Sequence, residues 1–117
     1  MKIQFLSEER VQNSDLAKGS IFAAERIWQN IKIDYVTEKH VAFSCHDSKF
    51  ETNHSVIYFS ERKFDKAWLC DCKWFSLKNK FCKHIIGVFY RLNRDKEFLG
   101  KLEKEKITSN DQEQCGK

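Results

Sequence analysis

Four metal-binding side chains lie within fifteen residues near the middle of this chain. Cys70 and Cys72, separated by one residue, are followed after nine residues by Cys82 and His84, again separated by one residue. Structural zinc takes four sulfur or nitrogen ligands in a tetrahedron, and three cysteines with one histidine form a common closed set. The alternative, buried thiols beside a core histidine, accounts for any one of these residues but not for all four together. The sequence therefore predicts one structural zinc ion.

The spacing also predicts the secondary structure on either side of the zinc ion. Side-chain direction alternates along a strand, so a one-residue spacer places Cys70 and Cys72 on the same face of an extended segment. Helical spacing of apolar residues begins after Cys82, which places the second pair at the start of an amphipathic helix. The residues with this spacing are Ile85, Val88, Phe89 and Leu92. We expect the helix to run to about Asp95, with an extension towards Gly100 as the alternative.

Short alternating or β-branched segments precede the first cysteine pair and predict strands. They cover residues 32–36, 41–45, 55–59 and 66–69. A helical pattern comes before them, with Ser20 as its expected N-cap. The predicted fold is therefore α+β: a small antiparallel sheet, a zinc-binding loop and an amphipathic C-terminal helix packed on the sheet.

Composition narrows the class of protein. A length of 117 residues points to one domain. No apolar segment approaches the roughly 20 residues of a membrane helix, and the charged N-terminus does not resemble a signal peptide. We therefore expect an intracellular protein, cytoplasmic or nuclear, without a membrane partner. In a reducing compartment its five cysteines serve as metal ligands or free thiols rather than disulfides.

The net charge of +4 is unevenly distributed along the chain. Residues 60–96 contain ten Lys and Arg against four Asp and Glu, a net of +6, while the segments on either side each have a net of −1. The excess positive charge therefore surrounds the cysteine cluster. Aromatic side chains are interleaved with it at Trp74, Phe75 and Phe81.

A basic segment with interleaved aromatic rings can bind phosphates and stack bases. The candidate nucleic-acid-binding residues are Lys73, Lys78, Lys80, Lys83, Arg91 and Arg94. The loop at 73–81 is the best single candidate surface. The alternative is a solvated face that keeps the protein soluble, with the aromatic rings covering the zinc site and Trp74 and Phe81 in the core.

The pattern Cys-x-Cys, spacer, Cys-x-His at Cys70, Cys72, Cys82 and His84 resembles the SWIM zinc-finger family. The resemblance covers residues 24–95, leaving an N-terminal extension with the start of a helix at 1–23 and a polar, flexible tail at 96–117. It implies a binding module with a structural zinc ion, in which DNA binding or protein interaction is the expected role. We favour nucleic acid, and DNA within that class; a protein-interaction adaptor, for example in recombination or transcription complexes, is the alternative.

The cysteines and histidines allow two further hypotheses. Cys45, His46 and His54 could form a second metal site, but Cys45 occupies an apolar strand position and a buried thiol is favoured; Cys115 is expected to be a free thiol in the tail. A Cys-x-Cys pair could also act in thiol redox chemistry. Four zinc ligands leave no open position for water, and no phosphate loop, zinc-protease motif or serine elbow is present. We therefore expect no enzymatic activity and no small-molecule substrate.

Overall fold

The computed structural model describes residues 2–78 and 80–104, which form a four-stranded antiparallel sheet with helices packed around it. The strands are β1 Ile31–Val36, β2 His40–Asp47, β3 Thr52–Phe59 and β4 Trp68–Cys70, and they pair in the order of the sequence. The helices are α1 Glu8–Gln12, α2 Lys18–Ile27, α3 Phe64–Ala67, α4 Lys73–Lys78, α5 Lys83–Arg94 and α6 Lys96–Lys104, with one turn of 3-10 helix at Trp28–Asn30. The α+β fold predicted from the sequence is confirmed.

Helix α5 forms the other half of the core. Its residues from His84 to Tyr90 are all buried, as is Leu92. Trp68 of β4 is in contact with Phe43 of β2 and with Phe89 of α5, at ring-centroid distances of 6.1 and 5.0 Å. Burial of such large rings contributes strongly to folding. The strand that leads to the first cysteine pair is therefore held firmly between the sheet and α5.

The turn between β2 and β3 projects Phe50 into solvent. Asp47 ends β2, and its Oδ1 accepts a hydrogen bond from the backbone N–H of Lys49 at 3.0 Å. Glu51 has a φ of 52°, the left-handed conformation that tight turns often need. The turn therefore reverses the chain within a few residues and leaves the Phe50 side chain 58% exposed.

The N-terminal segment packs against this core. The buried side chains of Ile3 and Val11 belong to the main hydrophobic cluster. The indole Nε1 of Trp68 donates a hydrogen bond to the carbonyl of Gln4 at 2.9 Å. Residues 1–23 are predicted from the sequence as an extension outside the zinc-finger domain; those at 2–23 are part of the same packed structure.

Helix α2 begins earlier than the sequence pattern suggests. The prediction that Ser20 is its N-cap is wrong, because the helix starts at Lys18 and Ala17 occupies the capping position. The carbonyl of Ala17 accepts hydrogen bonds from the backbone N–H groups of Ser20 and Ile21, at 3.0 and 3.1 Å. Ser20 therefore lies inside the first turn.

At the other end, residues 96–104 form α6 instead of a continuous tail. Phe98 and Leu102 of this helix are buried in the hydrophobic cluster. Residues 105–117, including Cys115, lie outside the described residues. Within 2–78 and 80–104, no helix is long and apolar enough to cross a membrane.

Candidate metal centre

The structure brings the four predicted ligands together. Cys70 ends β4, Cys72 precedes α4, Cys82 is the N-cap of α5, and His84 lies in the first turn of that helix. All four side chains are buried, and their ligand atoms lie within 4.8 Å of one another. This is the one such cluster of His, Cys, Asp or Glu side chains in the described part of the chain.

The two sulfur distances from His84 fit a tetrahedral zinc site. Nδ1 of His84 lies 3.5 Å from Sγ of Cys70 and 3.8 Å from Sγ of Cys82. Zinc bonds of about 2.3 Å to sulfur and about 2.0–2.1 Å to nitrogen place tetrahedral sulfur and nitrogen ligands roughly 3.5 Å apart. His84 therefore presents Nδ1 to the ion, and its Nε2 is buried with no hydrogen-bond partner among the described residues.

The pKa values of the three cysteine ligands are shifted in different directions. The pKa of Cys82 is lowered to about 4, first by a hydrogen bond from the Cys70 thiol and then, against the opposing effect of burial, by His84 and the backbone N–H of Ile85. The pKa of Cys70 is raised because its thiol donates that hydrogen bond and is buried. Burial also raises the pKa of Cys72. The environment therefore favours the thiolate of Cys82, and zinc binding must displace protons from Cys70 and Cys72.

The residue between each pair of ligands is fixed to the β2–β3 hairpin. Asp71, between Cys70 and Cys72, accepts a hydrogen bond from the backbone N–H of Ser55 at 3.1 Å and lies 2.9 Å from Nδ1 of His54. Its own backbone N–H donates to the carbonyl of Ser55 at 3.2 Å, so the strand pairing continues past β4. These bonds orient the first ligand pair.

Lys83 lies between the ligands Cys82 and His84, as Asp71 lies between Cys70 and Cys72. Its Nζ donates a hydrogen bond to Oδ2 of Asp47 at 2.8 Å, and Arg26 of α2 forms an ion pair with the same carboxylate. Burial would raise the pKa of Asp47, but the hydrogen bonds from Arg26 and Lys83 outweigh it and hold the pKa well below its usual range. The second ligand pair is thereby joined to α2 and to the end of β2.

Comparison with known proteins agrees with this geometry. Residues 65–93 match the model of the SWIM zinc finger family. This part of the chain is a SWIM zinc finger. The matched segment contains all four ligands, and the cluster fits one structural zinc ion bound by three cysteines and one histidine. No curated protein and no solved structure gives a significant match to the chain.

The predicted basic residues around the SWIM zinc finger fall into two groups. Lys73, Lys78 and Lys80 are exposed and have no ion-pair partner within the described ranges. Lys83, Arg91 and Arg94 are instead bound to acidic side chains of the same chain: Asp47, Asp95, and the pair Glu8 and Glu25. The first group is free to meet an external ligand, whereas the second contributes to the fold.

The segment predicted as a loop at 73–81 contains α4. The backbone N–H of Phe75, in the first turn of this helix, donates a hydrogen bond to Sγ of Cys72 at 3.4 Å. Trp74, Phe75 and Phe81 are half-buried and pack against the hydrophobic cluster. Of these rings, Trp74 lies beside the ligands Cys72, Cys82 and His84, while Lys73 and Lys78 of α4 face solvent.

The other candidate metal ligands do not belong to the four-residue cluster, although the ring centroid of His54 lies 4.6 Å from that of the ligand His84. Cys45 is fully buried, and burial raises the pKa of its thiol. Nδ1 of His46 lies 2.9 Å from Oδ1 of Asn53, while His54 is bound to Asp71. The full burial of Cys45 agrees with its interpretation as a buried thiol. Sequence reasoning missed Asp47, because a lone aspartate at a strand end gives no sign of its partners.

Proposed function

We propose that this chain binds nucleic acid, with DNA favoured, through the surface beside its zinc ion. The observation that carries the proposal is the set of three exposed lysines on and after α4, Lys73, Lys78 and Lys80, none of which has an acidic partner in the described structure. Phosphate groups bind such lysines and release counterions, which is the main source of affinity for nucleic acid. The zinc ion orders Cys72, which directly precedes the helix α4 that carries Lys73 and Lys78.

We also propose that the zinc ion is structural and that the chain is not an enzyme. A catalytic zinc ion keeps one coordination position for water or substrate. Here four protein ligands lie close enough together to fill the tetrahedron. The ion then orders Cys72, α4 and the start of α5 without taking part in a reaction.

The test is fluorescence anisotropy of zinc-loaded protein with labelled single-stranded DNA, duplex DNA and RNA over a series of salt concentrations. Affinity should fall steeply with salt, because each phosphate contact to duplex DNA makes the slope of log K against log salt more negative by about 0.9. The double variant Lys78→Glu/Lys80→Glu should bind at least about tenfold more weakly at low salt, with a shallower slope and an unchanged zinc content.

A matched control separates local contacts from total charge. Lys32 of β1 and Lys101 of α6 are also exposed, and Lys32→Glu/Lys101→Glu lowers the net charge by the same amount. The control should lose much less affinity for nucleic acid than Lys78→Glu/Lys80→Glu does. Equal losses would mean that only total charge matters and would remove this surface from the proposal.

A protein-interaction adaptor is the second candidate. Leu77 is 74% exposed on α4, next to Lys78, so its apolar side chain is accessible to a protein partner. A stoichiometric partner that co-purifies after nuclease treatment and is lost in Leu77→Ser would favour this role. If the protein does not bind nucleic acid at low salt, protein interaction becomes the favoured function.

A further inference from the structure

A cleft opens beside the zinc site, between the matched zinc-finger segment and the elements that precede it in the chain. Its walls are α2, the β2–β3 turn and the start of α4, and the ligands Cys72, Cys82 and His84 line its inner end. Its volume is about 680 Å³, within the range of roughly 300–1,000 Å³ found for small-ligand sites. The cleft therefore has room for individual planar groups but not for a double helix.

Exposed aromatic rings stand at the mouth of this cleft. Phe22 of α2 is 79% exposed and Phe50 of the turn is 58% exposed. Both line the cleft, together with the half-buried Trp74 of α4. Burial of these apolar rings would stabilise the fold more than their exposure does. Exposed rings grouped at one cleft therefore indicate a binding surface.

The same cleft has a positive lining. Arg26, Lys49 and Lys83 line it, and among the residues that the structure describes no Asp or Glu side chain does. Each of these cations lies over the ring of Phe50, at 5.6, 5.5 and 4.8 Å from its centroid. Asp47, which binds two of them, is fully buried beneath. An occupant would therefore meet positive charge and aromatic faces at the same place.

From this arrangement we infer that the cleft binds a single-stranded segment of nucleic acid, with bases stacked on Phe22 and Phe50 and phosphates beside Lys49 and Arg26. The inference rests on the proposed nucleic-acid binding and adds its site and strand type. Every base offers a flat face for an aromatic ring, whereas bases in a duplex are already stacked on one another. An acidic peptide would use the charge of the cleft but not its exposed rings.

The test compares binding of fluorescein-labelled oligothymidylate and of a DNA duplex of equal length to zinc-loaded protein. Phe22→Ala and Phe50→Ala should each weaken oligothymidylate binding by about tenfold, while duplex binding changes little. Phe22→Tyr should restore the affinity, because the ring is kept. Tyr35→Ala is the matched control: Tyr35 is 42% exposed on β1 and does not line the cleft. It should bind as the unaltered protein does.

The outcomes separate this inference from the broader proposal. If the phenylalanine variants bind oligothymidylate normally while Lys78→Glu/Lys80→Glu does not, the cleft is excluded and nucleic-acid binding stands. If polyglutamate of equal charge displaces oligothymidylate as well as unlabelled oligothymidylate does, the cleft recognises charge alone and the inference is wrong. If the unaltered protein binds neither single strand nor duplex at low salt, both proposals fail.

Discussion

Nζ of Lys83 lies 2.8 Å from Oδ2 of Asp47, so the residue between two zinc ligands is joined to the end of a central strand. Arg26 reaches the same carboxylate from α2. Asp47 is fully buried, and these two cations are the charged partners that the structure gives it. The carboxylate of Asp47 therefore links three elements: α5, which starts at the zinc site, strand β2 and helix α2.

Replacing Asp47 by Asn should destabilise the protein by about 2 kcal/mol. Breaking a fully buried ion pair costs roughly 3–5 kcal/mol, but Arg26 and Lys83 remain partly in water, with side-chain exposures of 31% and 25%. Urea unfolding of the zinc-loaded protein measures the difference. Asp34→Asn, an exposed site on β1, is the control and should change stability by less than about 0.5 kcal/mol.

The difference in unfolding free energy between the unaltered protein and Asp47→Asn should depend on pH in a defined way. Because the folded-state pKa of Asp47 is lowered, its carboxylate stabilises the fold above the unfolded value of about 3.9, and this contribution is lost as the pH falls through the folded-state pKa. The difference between the protein and Asp47→Asn should be constant from pH 5 to 8 and narrow only below about pH 4. A difference that varies between pH 5 and 8 would assign the effect to another group.

The zinc ligands are predictable from the sequence because the chemistry is local. Four sulfur and nitrogen donors within fifteen residues match the ligand set of structural zinc, and the period-two and helical patterns place them at a strand end and a helix start. The first three strands and α5 follow from the same patterns. The prediction of a strand at 66–69 is wrong in its first half, because Phe64–Ala67 forms α3 and β4 covers Trp68–Cys70. By contrast, the segment at 73–81 has no strong helical period, so α4 was missed.

The contacts that surround the ligands could not be predicted, since they join distant parts of the chain. Lys83 and Asp47 are 36 residues apart, and Arg94 and Glu8 are 86 apart. Nothing in a single sequence shows which lysine meets which aspartate. Lys83, Arg91 and Arg94 are therefore grouped with the free lysines in the sequence, although the structure gives them internal partners. The cleft was missed for the same reason, because Phe22, Phe50 and Trp74 meet only in the folded chain.

Cys72→Ala should abolish zinc binding and folding, whereas Cys45→Ala should keep one zinc ion per chain. The two changes remove the same atoms from buried cysteines, but only Cys72 belongs to the cluster. Structural zinc contributes on the order of 10 kcal/mol in zinc-finger peptides, which exceeds what a small domain can lose. Zinc content by atomic emission and the dispersion of amide NMR signals would report the two effects. Zinc lost equally in both variants would contradict this ligand set.

Arg94→Lys should destabilise the protein by about 1 kcal/mol and loosen α1. The guanidinium of Arg94 binds both oxygens of Glu8 and both of Glu25, and these hydrogen bonds lower the pKa of each glutamate. Lysine keeps the charge but cannot bind two carboxylates in this way. The effect is moderate because the glutamates are partly exposed. Urea unfolding and amide exchange in α1 measure it, and Arg10→Lys, exposed on α1, should have no effect.

Gly87→Ala should destabilise the protein by about 1 kcal/mol, and Gly100→Ala should stabilise it by about 0.5–1 kcal/mol. Both glycines lie inside helices, where alanine is intrinsically favoured. A Cβ at Gly87 would lie 3.1 Å from Cδ1 of Ile31 and 3.3 Å from Cγ1 of Ile27, whereas one at Gly100 would meet no atom within 4 Å. Thermal unfolding of the two zinc-loaded variants gives the comparison. If Gly87→Ala gains as much stability as Gly100→Ala, then α5 does not pack as closely on α2 and β1 as these distances require.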